Sequence, residues 1–308
     1  MRKPNIVVLG SSNTDMVIRV DRIPRPGETV LGGEFLTAAG GKGANQAVSA
    51  ARAGGKVTFI ARVGRDIFGD KAIAGFRQDR INTEFITRDP VKPSGVALIF
   101  VAKDGENSIA VAGGANGRLL SPQLKKVRSS LNTAGTVLMQ LETPLTTVYE
   151  AARVAAKAGA KVILNPAPAR PLPTSLLKLV SVLTPNETEA EVLSGVRVSN
   201  EVSAARAARK LLAMGARAVV ITLGSRGAYV ETKGLKQFVS GFKVKAVDCT
   251  AAGDVFNGAL AVAISEGKSL FEAVRFANAA AAISVTRVGA QPSAPKRVEI
   301  ERWLRQNH

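Results

Sequence analysis

One cysteine, Cys249, stands alone in 308 residues, which excludes an intrachain disulfide and a cysteine-cluster metal site and fits a reducing cytoplasm. The only histidine, His308, is the last residue, so no internal imidazole is on hand for catalysis or metal binding. Aromatic residues make up 5% of the chain. Its core must be filled mainly by Val, Leu, Ile and Ala, which suits a buried parallel sheet under alanine-rich helices. No apolar run reaches the ~18 residues of a membrane-spanning helix. The opening Met1-Arg2-Lys3-Pro4 runs into a short strand-like segment rather than a signal-peptide apolar region. Acidic residues are also scarce, 24 against 42 Lys and Arg, for a net charge of +18. The basic residues are scattered, with no long run and no interleaved aromatics for base stacking. We read them as a basic surface that attracts phosphate-bearing substrates rather than as a nucleic-acid footprint.

Hydrophobic residues at 46% and charged residues at 21% describe a packed globular chain, and its length allows one large α/β unit. Residues 6–9 are a short apolar run ending in Gly10, the mark of a buried strand and a turn. Residues 15–20 and 29–37 instead alternate apolar and polar across Ile23-Pro24-Arg25-Pro26-Gly27. A second alternating pair, 95–102 and 107–112, is joined by the hairpin turn Lys103-Asp104-Gly105-Glu106. These four segments predict a small separate sheet over the main body. After residue 130, strands at 136–140, 161–164, 181–184 and 218–222 alternate with helices at 145–158, 187–194 and 203–214. That order predicts a parallel sheet with helices on both faces, and ligands beyond the carboxyl ends of its strands.

The most informative segment is Asp248-Cys249-Thr250-Ala251-Ala252-Gly253-Asp254-Val255-Phe256-Asn257-Gly258. Small residues give way to Phe256, Leu260, Ala263 and Ile264 at the spacing of one helix face. Ala251, Ala252 and Gly253 would leave backbone N–H groups open at a helix start, where negative charge is favoured. Asp254 in the first turn could then take a proton from an attacking hydroxyl. A plain acidic helix-start residue explains Asp254 equally well on its own. Gly40-Gly41-Lys42-Gly43-Ala44-Asn45-Gln46-Ala47 lets a small ligand approach the backbone, with Lys42 and Asn45 as donors. It lacks the Gly-Lys-Ser/Thr ending of a Walker A loop, and tight packing is its simpler explanation. Asn13 and Asp15, two apart on an extended segment, face one side and could grip adjacent hydroxyls, although both are ordinary turn residues. In Thr184-Pro185-Asn186-Glu187-Thr188-Glu189, Asn186 and Glu189 offer oxygen to Mg²⁺ or else form a helix cap. Thr222-Leu223-Gly224-Ser225-Arg226-Gly227 is a glycine-bearing strand end.

Taken in order, these segments resemble the ribokinase (PfkB-type) family of carbohydrate kinases over nearly the whole chain. Asn13-Thr14-Asp15, Met139-Gln140-Leu141-Glu142, Leu164-Asn165-Pro166-Ala167-Pro168-Ala169 and Val288-Gly289-Ala290-Gln291-Pro292-Ser293 complete the pattern. The resemblance implies a single α/β domain over 1–308, a three-layer α/β/α body with a mostly parallel central sheet and a β-sheet lid from about 13–37 and 95–112. It implies ATP-dependent phosphorylation of D-ribose at its 5-hydroxyl, with a kinase for deoxyribose, another pentose or a nucleoside as the alternative. Asp254 is the implied base and residues 251–253 the anion hole. Asn13, Thr14, Asp15, Gly41, Lys42, Gly43, Ala44, Asn45 and Glu142, together with Asp254, are the implied sugar set. For ATP the implied set is Asn186, Thr222, Leu223, Gly224, Ser225, Arg226, Gly227, Gly253 and Asn278, with Glu189 organising Mg²⁺ through water. An activating K⁺ would lie among Asp248, Thr250, Ser284, Arg287, Gly289 and Ser293, several through carbonyls. A homodimer through the lid is implied too. The family pattern Gly-Ala-Gly-Asp appears here as Ala251-Ala252-Gly253-Asp254, and Cys249 replaces the commoner Thr. A silent sugar sensor or a nucleic-acid-binding protein on the same fold is the reading of a different class. The retention of Lys42, Asn186, Glu189 and Asp254 weighs against it.

Overall fold

The computed structural model describes residues 5–31, 33–121 and 124–307. His308 and the segment Met1-Arg2-Lys3-Pro4 lie outside the described residues. In chain order the strands are β1 (Asn5–Leu9), β2 (Asn13–Val20), β3 (Glu34–Gly40), β4 (Lys56–Gly64), β5 (Ile86–Asp89), β6 (Gly95–Ala102), β7 (Asn107–Ala112), β8 (Thr136–Met139), β9 (Lys161–Leu164), β10 (Val182–Leu183), β11 (Ala218–Thr222), β12 (Gly227–Thr232) and β13 (Lys236–Ser240). The helices are α1 (Lys42–Arg52), α2 (Ile67–Gln78), α3 (Leu124–Asn132), α4 (Leu145–Lys157), α5 (Thr174–Leu177), α6 (Glu187–Ser194), α7 (Glu201–Ala213), α8 (Ala252–Ser265), α9 (Leu270–Ser284) and α10 (Arg297–Gln306).

Among the described residues, nine strands form one sheet in the order β13-β12-β11-β10-β9-β8-β1-β4-β5. All pairs from β11 to β5 run parallel, and β12 and β13 turn one edge antiparallel. The apolar runs of β1 and β8 are buried on both faces, as parallel strands between helix layers must be. One layer buries Val148, Leu176, Ala190, Ala204 and Leu211 of α4 to α7 against the sheet. The other buries Ala44, Phe76, Val255, Leu260, Val274 and Ile300 from α1, α2, α8, α9 and α10. Helix α8 is buried nearly all round, which its Ala- and Gly-rich sequence permits because small side chains let neighbouring helices approach. The expected α/β/α body with a mostly parallel sheet is therefore present.

The four alternating segments form their own sheet in the order β3-β2-β6-β7. Its outer pairs are antiparallel, while the central pair β2–β6 runs parallel with Asn13 opposite Gly95. One boundary differs from expectation. The strand placed at 29–37 runs instead over Glu34–Gly40, because Gly33 adopts φ +114, a conformation that interrupts a ladder and favours glycine.

Candidate active site

The carboxyl ends of β11, β10, β9, β8 and β1 are neighbours in the sheet, and the polar motifs of the sequence follow those ends. After β1 the chain passes Gly10 and Ser11, after β8 Gln140 and Glu142, after β9 Asn165, after β10 Asn186, and after β11 Gly224. The Ser11 hydroxyl donates to Glu142 and accepts from the Gly43 amide, while the Lys42 amide donates to the same Glu142 oxygen at 3.0 Å. Glycine is required at Gly43, where a Cβ would lie 2.5 Å from the Ser11 nitrogen and 2.6 Å from the Gly10 backbone. Gly41 holds φ +89 at the N-cap of α1. The first turn of α1 is thereby pressed onto the end of β1, and Lys42 and Asn45 come to the strand ends.

Asp254 lies in the first turn of α8 and is 6% exposed. Its Oδ2 accepts from Asn45 Nδ2 at 3.0 Å and its Oδ1 from Gln46 Nε2 at 2.9 Å. Burial raises its pKa above the usual carboxylate value, against the pull of Lys42 and the two amides. Ala251, at φ 59, caps α8 with no side-chain hydrogen bond. Of the backbone N–H groups anticipated from Ala251-Ala252-Gly253, that of Ala252 donates to the Cys249 carbonyl at 3.3 Å, which leaves those of Ala251 and Gly253 at a helix end that carries partial positive charge. For Lys42, burial works against the ammonium, yet Asp254, Glu142 and Glu189 outweigh it and hold the pKa above normal.

Asn13 and Asp15 share one face of β2, as alternation requires. Thr14, one step between them, faces the other way, so its side chain is not brought to the group. Asp15 is pushed up to about 6 by burial, then by Glu142 and Asp254. The folded protein therefore binds this proton more tightly than the unfolded chain, and stability falls as pH rises from the ordinary 3.8 through about 6. Asp15→Asn is expected to raise the melting temperature of the ligand-free protein at pH 8, and by about half as much at pH 5. The gain is at most about 3 kcal/mol, from 1.36 kcal/mol per pKa unit. Calorimetry at the two pH values checks it, and an equal gain at both would exclude the linkage.

Asn186 forms an isolated parallel bridge with Thr222. It caps α6 in a box with Glu189, whose two carboxylate oxygens accept from the Asn186 backbone at 2.9 Å and side-chain nitrogen at 3.0 Å. The cap reading of these residues is thus realised. Each Glu189 oxygen keeps a further lone pair, so the cap does not prevent them from ordering water around Mg²⁺. Burial raises the pKa of Glu189, with the Asn186 amide and Lys42 opposing. Gly224, Ser225 and Arg226 form a 3-10 turn, with Gly227 next at φ 112. The Arg226 guanidinium leaves the turn to pair with Glu187 and to donate to the Ser199 carbonyl. Leu223 and Ala44 are buried in the cores, which leaves only their backbones to meet a ligand. The Asn278 amide is spent on the carbonyls of Val239 and Ser240 at 3.1 and 3.2 Å.

Residues 248–250 and 284–293 meet. Asp248 accepts from the Thr250 amide and from the Gly289 amide, both at 2.8 Å, and its own amide donates to the Val285 carbonyl at 3.2 Å. Burial would raise the Asp248 pKa, but the hydrogen bonds from Thr250 and Gly289 lower it overall. The donor set is one carboxylate, the hydroxyls of Ser284 and Ser293 and the local carbonyls, which fits a large, weakly hydrated cation such as K⁺. Arg287 can contribute only its carbonyl, since its cationic guanidinium has no lone pair to offer; that group pairs with Glu299.

Sequence reasoning did not single out the amides that hold these groups. Asn116 accepts from the Ser12 amide at 2.9 Å and donates to Asn13 Oδ1 at 2.7 Å, fixing which way the Asn13 amide turns. Gln46 joins Asp254 to Asn165 and Gln140. Asn257 accepts from Thr184 and donates to the Gly253 carbonyl. Gln46, Gln140, Asn165 and Asn257 entered only as members of the segments at 40–47, 139–142, 164–169 and 248–258, with no role of their own, and Asn116 carried no signal.

Residues 3–297 match the pattern of the pfkB family of carbohydrate kinases. The chain belongs to that family. It is accordingly an enzyme, a phosphotransferase of ribokinase type with an alcohol group as acceptor. It is 49% identical over 304 residues to the ribokinase of Haemophilus influenzae, covering 99% of each chain. A solved structure of Arabidopsis thaliana ribokinase complexed with ribose and ATP superposes with a TM-score of 0.91 at 35% identity, over 98% of this chain and 99% of that one. The deoxyribokinase of Salmonella typhi is 38% identical over 98% of this chain and 99% of its own. Like other pfkB kinases in fold, this one has no helix among its described residues that is long and apolar enough to cross a membrane.

Proposed function

We propose that the chain transfers the γ-phosphoryl group of ATP to the 5-hydroxyl of D-ribose, giving ADP and D-ribose 5-phosphate. The observation that carries this is the buried Asp254 carboxylate at an uncapped helix start, beside Lys42 and Asn45. The carboxylate takes the hydroxyl proton as the ribose oxygen attacks phosphorus and the bond to the β-phosphate oxygen breaks. Backbone N–H groups at 251–253 then face the charge that gathers on the transferring oxygens, which is where preorganised donors act most strongly. Asn13, Asp15, Gly41, Lys42, Asn45 and Glu142 would hold the sugar. Asn45 Oδ1 is buried with no hydrogen-bond partner, and a sugar hydroxyl would supply the donor it lacks.

Asn186, Thr222, Gly224, Ser225, Gly227 and Asn278 would border the nucleotide, and the likeness to a ribokinase holding ribose and ATP supports that placement. Bound Mg²⁺ would neutralise charge on the phosphates, with Glu189 ordering its water. K⁺ would sit in the loops of Asp248 and Gly289 and add positive potential near the helix start. The likeness to a deoxyribokinase favours deoxyribose as the second reading. A coupled ADP-release assay with ribose, deoxyribose and adenosine, in K⁺ and in Na⁺, tests all of this. Ribose is expected to turn over fastest and K⁺ to activate far more than Na⁺. Faster turnover of another acceptor would displace ribose, and equal rates in the two salts would remove the cation site.

The sheet of β3-β2-β6-β7 would act as a lid that keeps water from competing as acceptor. Its side opposite Asp15 carries Phe35 at 62% and Leu98 at 50% exposure, large apolar groups that a second copy of the chain would cover. Sedimentation should find a dimer, and Leu98→Asp should shift it to monomer; a parent chain that sediments as monomer at micromolar concentration would reject the dimer.

A further inference from the structure

We infer that Gln46 is a positioning residue that locks the Asp254 carboxylate in its proton-accepting orientation, an inference resting on Asp254 being the base. Gln46 has no exposed surface, and its carboxamide is held at both ends. Its Oε1 accepts from Gln140 Nε2 at 2.5 Å, while its Nε2 donates to Asn165 Oδ1 at 3.1 Å and to Asp254 Oδ1 at 2.9 Å.

The direction of these bonds is dictated rather than assumed. Asn165 Nδ2 donates to the Thr184 carbonyl at 3.0 Å, and a carbonyl can only accept. Asn165 must therefore present its oxygen to Gln46, and Gln46 must present its NH₂ in return. Both protons of that group are then committed, one to Asn165 and one to Asp254. Gln46 thus offers Asp254 a donor and no acceptor, which stabilises the carboxylate and gives nothing to a protonated acid. Asn45 is not locked in this way. Its Oδ1 has no partner, and its orientation rests on the single bond from its Nδ2 to Asp254. Gln46 is the one amide whose orientation the surrounding strands enforce, through Gln140 after β8 and Asn165 after β9.

The charged groups facing Asp254 are Lys42 on α1, Glu142 after β8, Asp15 on β2 and Glu189 on α6. Three of these four are carboxylates, which oppose a negative Asp254. Removing a fixed donor from this balance must make the base harder to keep ionised, and it also frees the carboxylate to rotate.

The test is the pH dependence of the single-turnover rate of phosphoryl transfer, with D-ribose and ATP, in Gln46→Leu and Gln46→Glu. For Gln46→Leu the rate at pH 7 is expected to fall about tenfold and its acid limb to move up by about one pH unit, as loss of one hydrogen bond to a charged group implies. Ribose Kd, measured by calorimetry, should change less than about threefold, because the bond lost is not to the sugar. Gln46→Glu keeps the shape, so it is read if the leucine variant does not fold, and it should move the acid limb further still. A folded variant whose rate profile superimposes on that of the parent overturns the inference. Asp254→Asn is measured alongside. If it retains full activity, the assignment of the base fails. If it is inactive while both Gln46 variants keep the parent profile, only the role of Gln46 fails.

Discussion

Asp254→Asn is expected to lower kcat about 10³-fold, within the range that general-base catalysis contributes, while ribose Kd changes little. The asparagine side chain has the same outline and its one oxygen can still accept from Gln46, while its NH₂ would face Asn45, whose unpartnered Oδ1 could accept it if that amide turned over. What it loses is the charge and the ability to take a proton. The positive end of α8 would remain, and residual transfer should reflect it and the bound geometry alone. Steady-state kinetics with calorimetric binding separates the two effects. Near-parent turnover would remove Asp254 from the mechanism, and a large loss of ribose affinity would make it a binding group instead.

Gly43→Ala is expected to be strongly damaging for a change that adds a single methyl group. Its Cβ would meet the Ser11 nitrogen and the Gly10 carbonyl carbon and Cα within 2.7 Å, all of them backbone atoms that cannot turn aside. Overpacking of this kind costs about 1–3 kcal/mol or more. The strain relaxes only if α1 slides away from the end of β1, and α1 carries Lys42, Asn45 and Gln46. A displacement near 1 Å is enough to cost about 10² in rate, so kcat/KM should drop at least that far in whatever protein folds. Thermal denaturation and kinetics of the purified variant check both parts. A variant with parent-like melting and turnover would mean that α1 is not pressed against β1 as described.

Much of the main sheet can be read from local pattern. The run before Gly10 and the segments 161–164 and 218–222 are strands in the structure, because fully apolar runs of that length with turn residues beyond them have few other uses. The hairpin of β6 and β7 was equally legible from its turn. The antiparallel edge of β12 and β13 was not, since β12 is buried along almost its whole length like the parallel strands beside it. Asn13 and Asp15 follow from alternation, and the same rule turns Thr14 away, although the family pattern carries all three together. For Asn186 and Glu189 both readings rest on one arrangement, a helix cap whose oxygens keep spare lone pairs. The amides around Asp254 lay within recognised segments, but nothing local showed that they bond to one another. Those bonds join residues 94, 119 and 208 positions apart, and such distances leave no periodic trace in a sequence.

The register of the small sheet has a mechanical result. Asn13 is paired with Gly40 and Gly95, and Val96 with Ala112, so all four chain crossings to the body stand side by side along one border. The plate is joined to the body on that line, and no chain crossing stands at its far margin. At about 3.4 Å per residue, Arg19 stands about 20 Å from the line and Asp15 about 7 Å. A tilt that swings the far margin by about 6 Å therefore shifts Asp15 by only about 2 Å. The doorway can open wide while the residues nearest the pivot barely leave their stations.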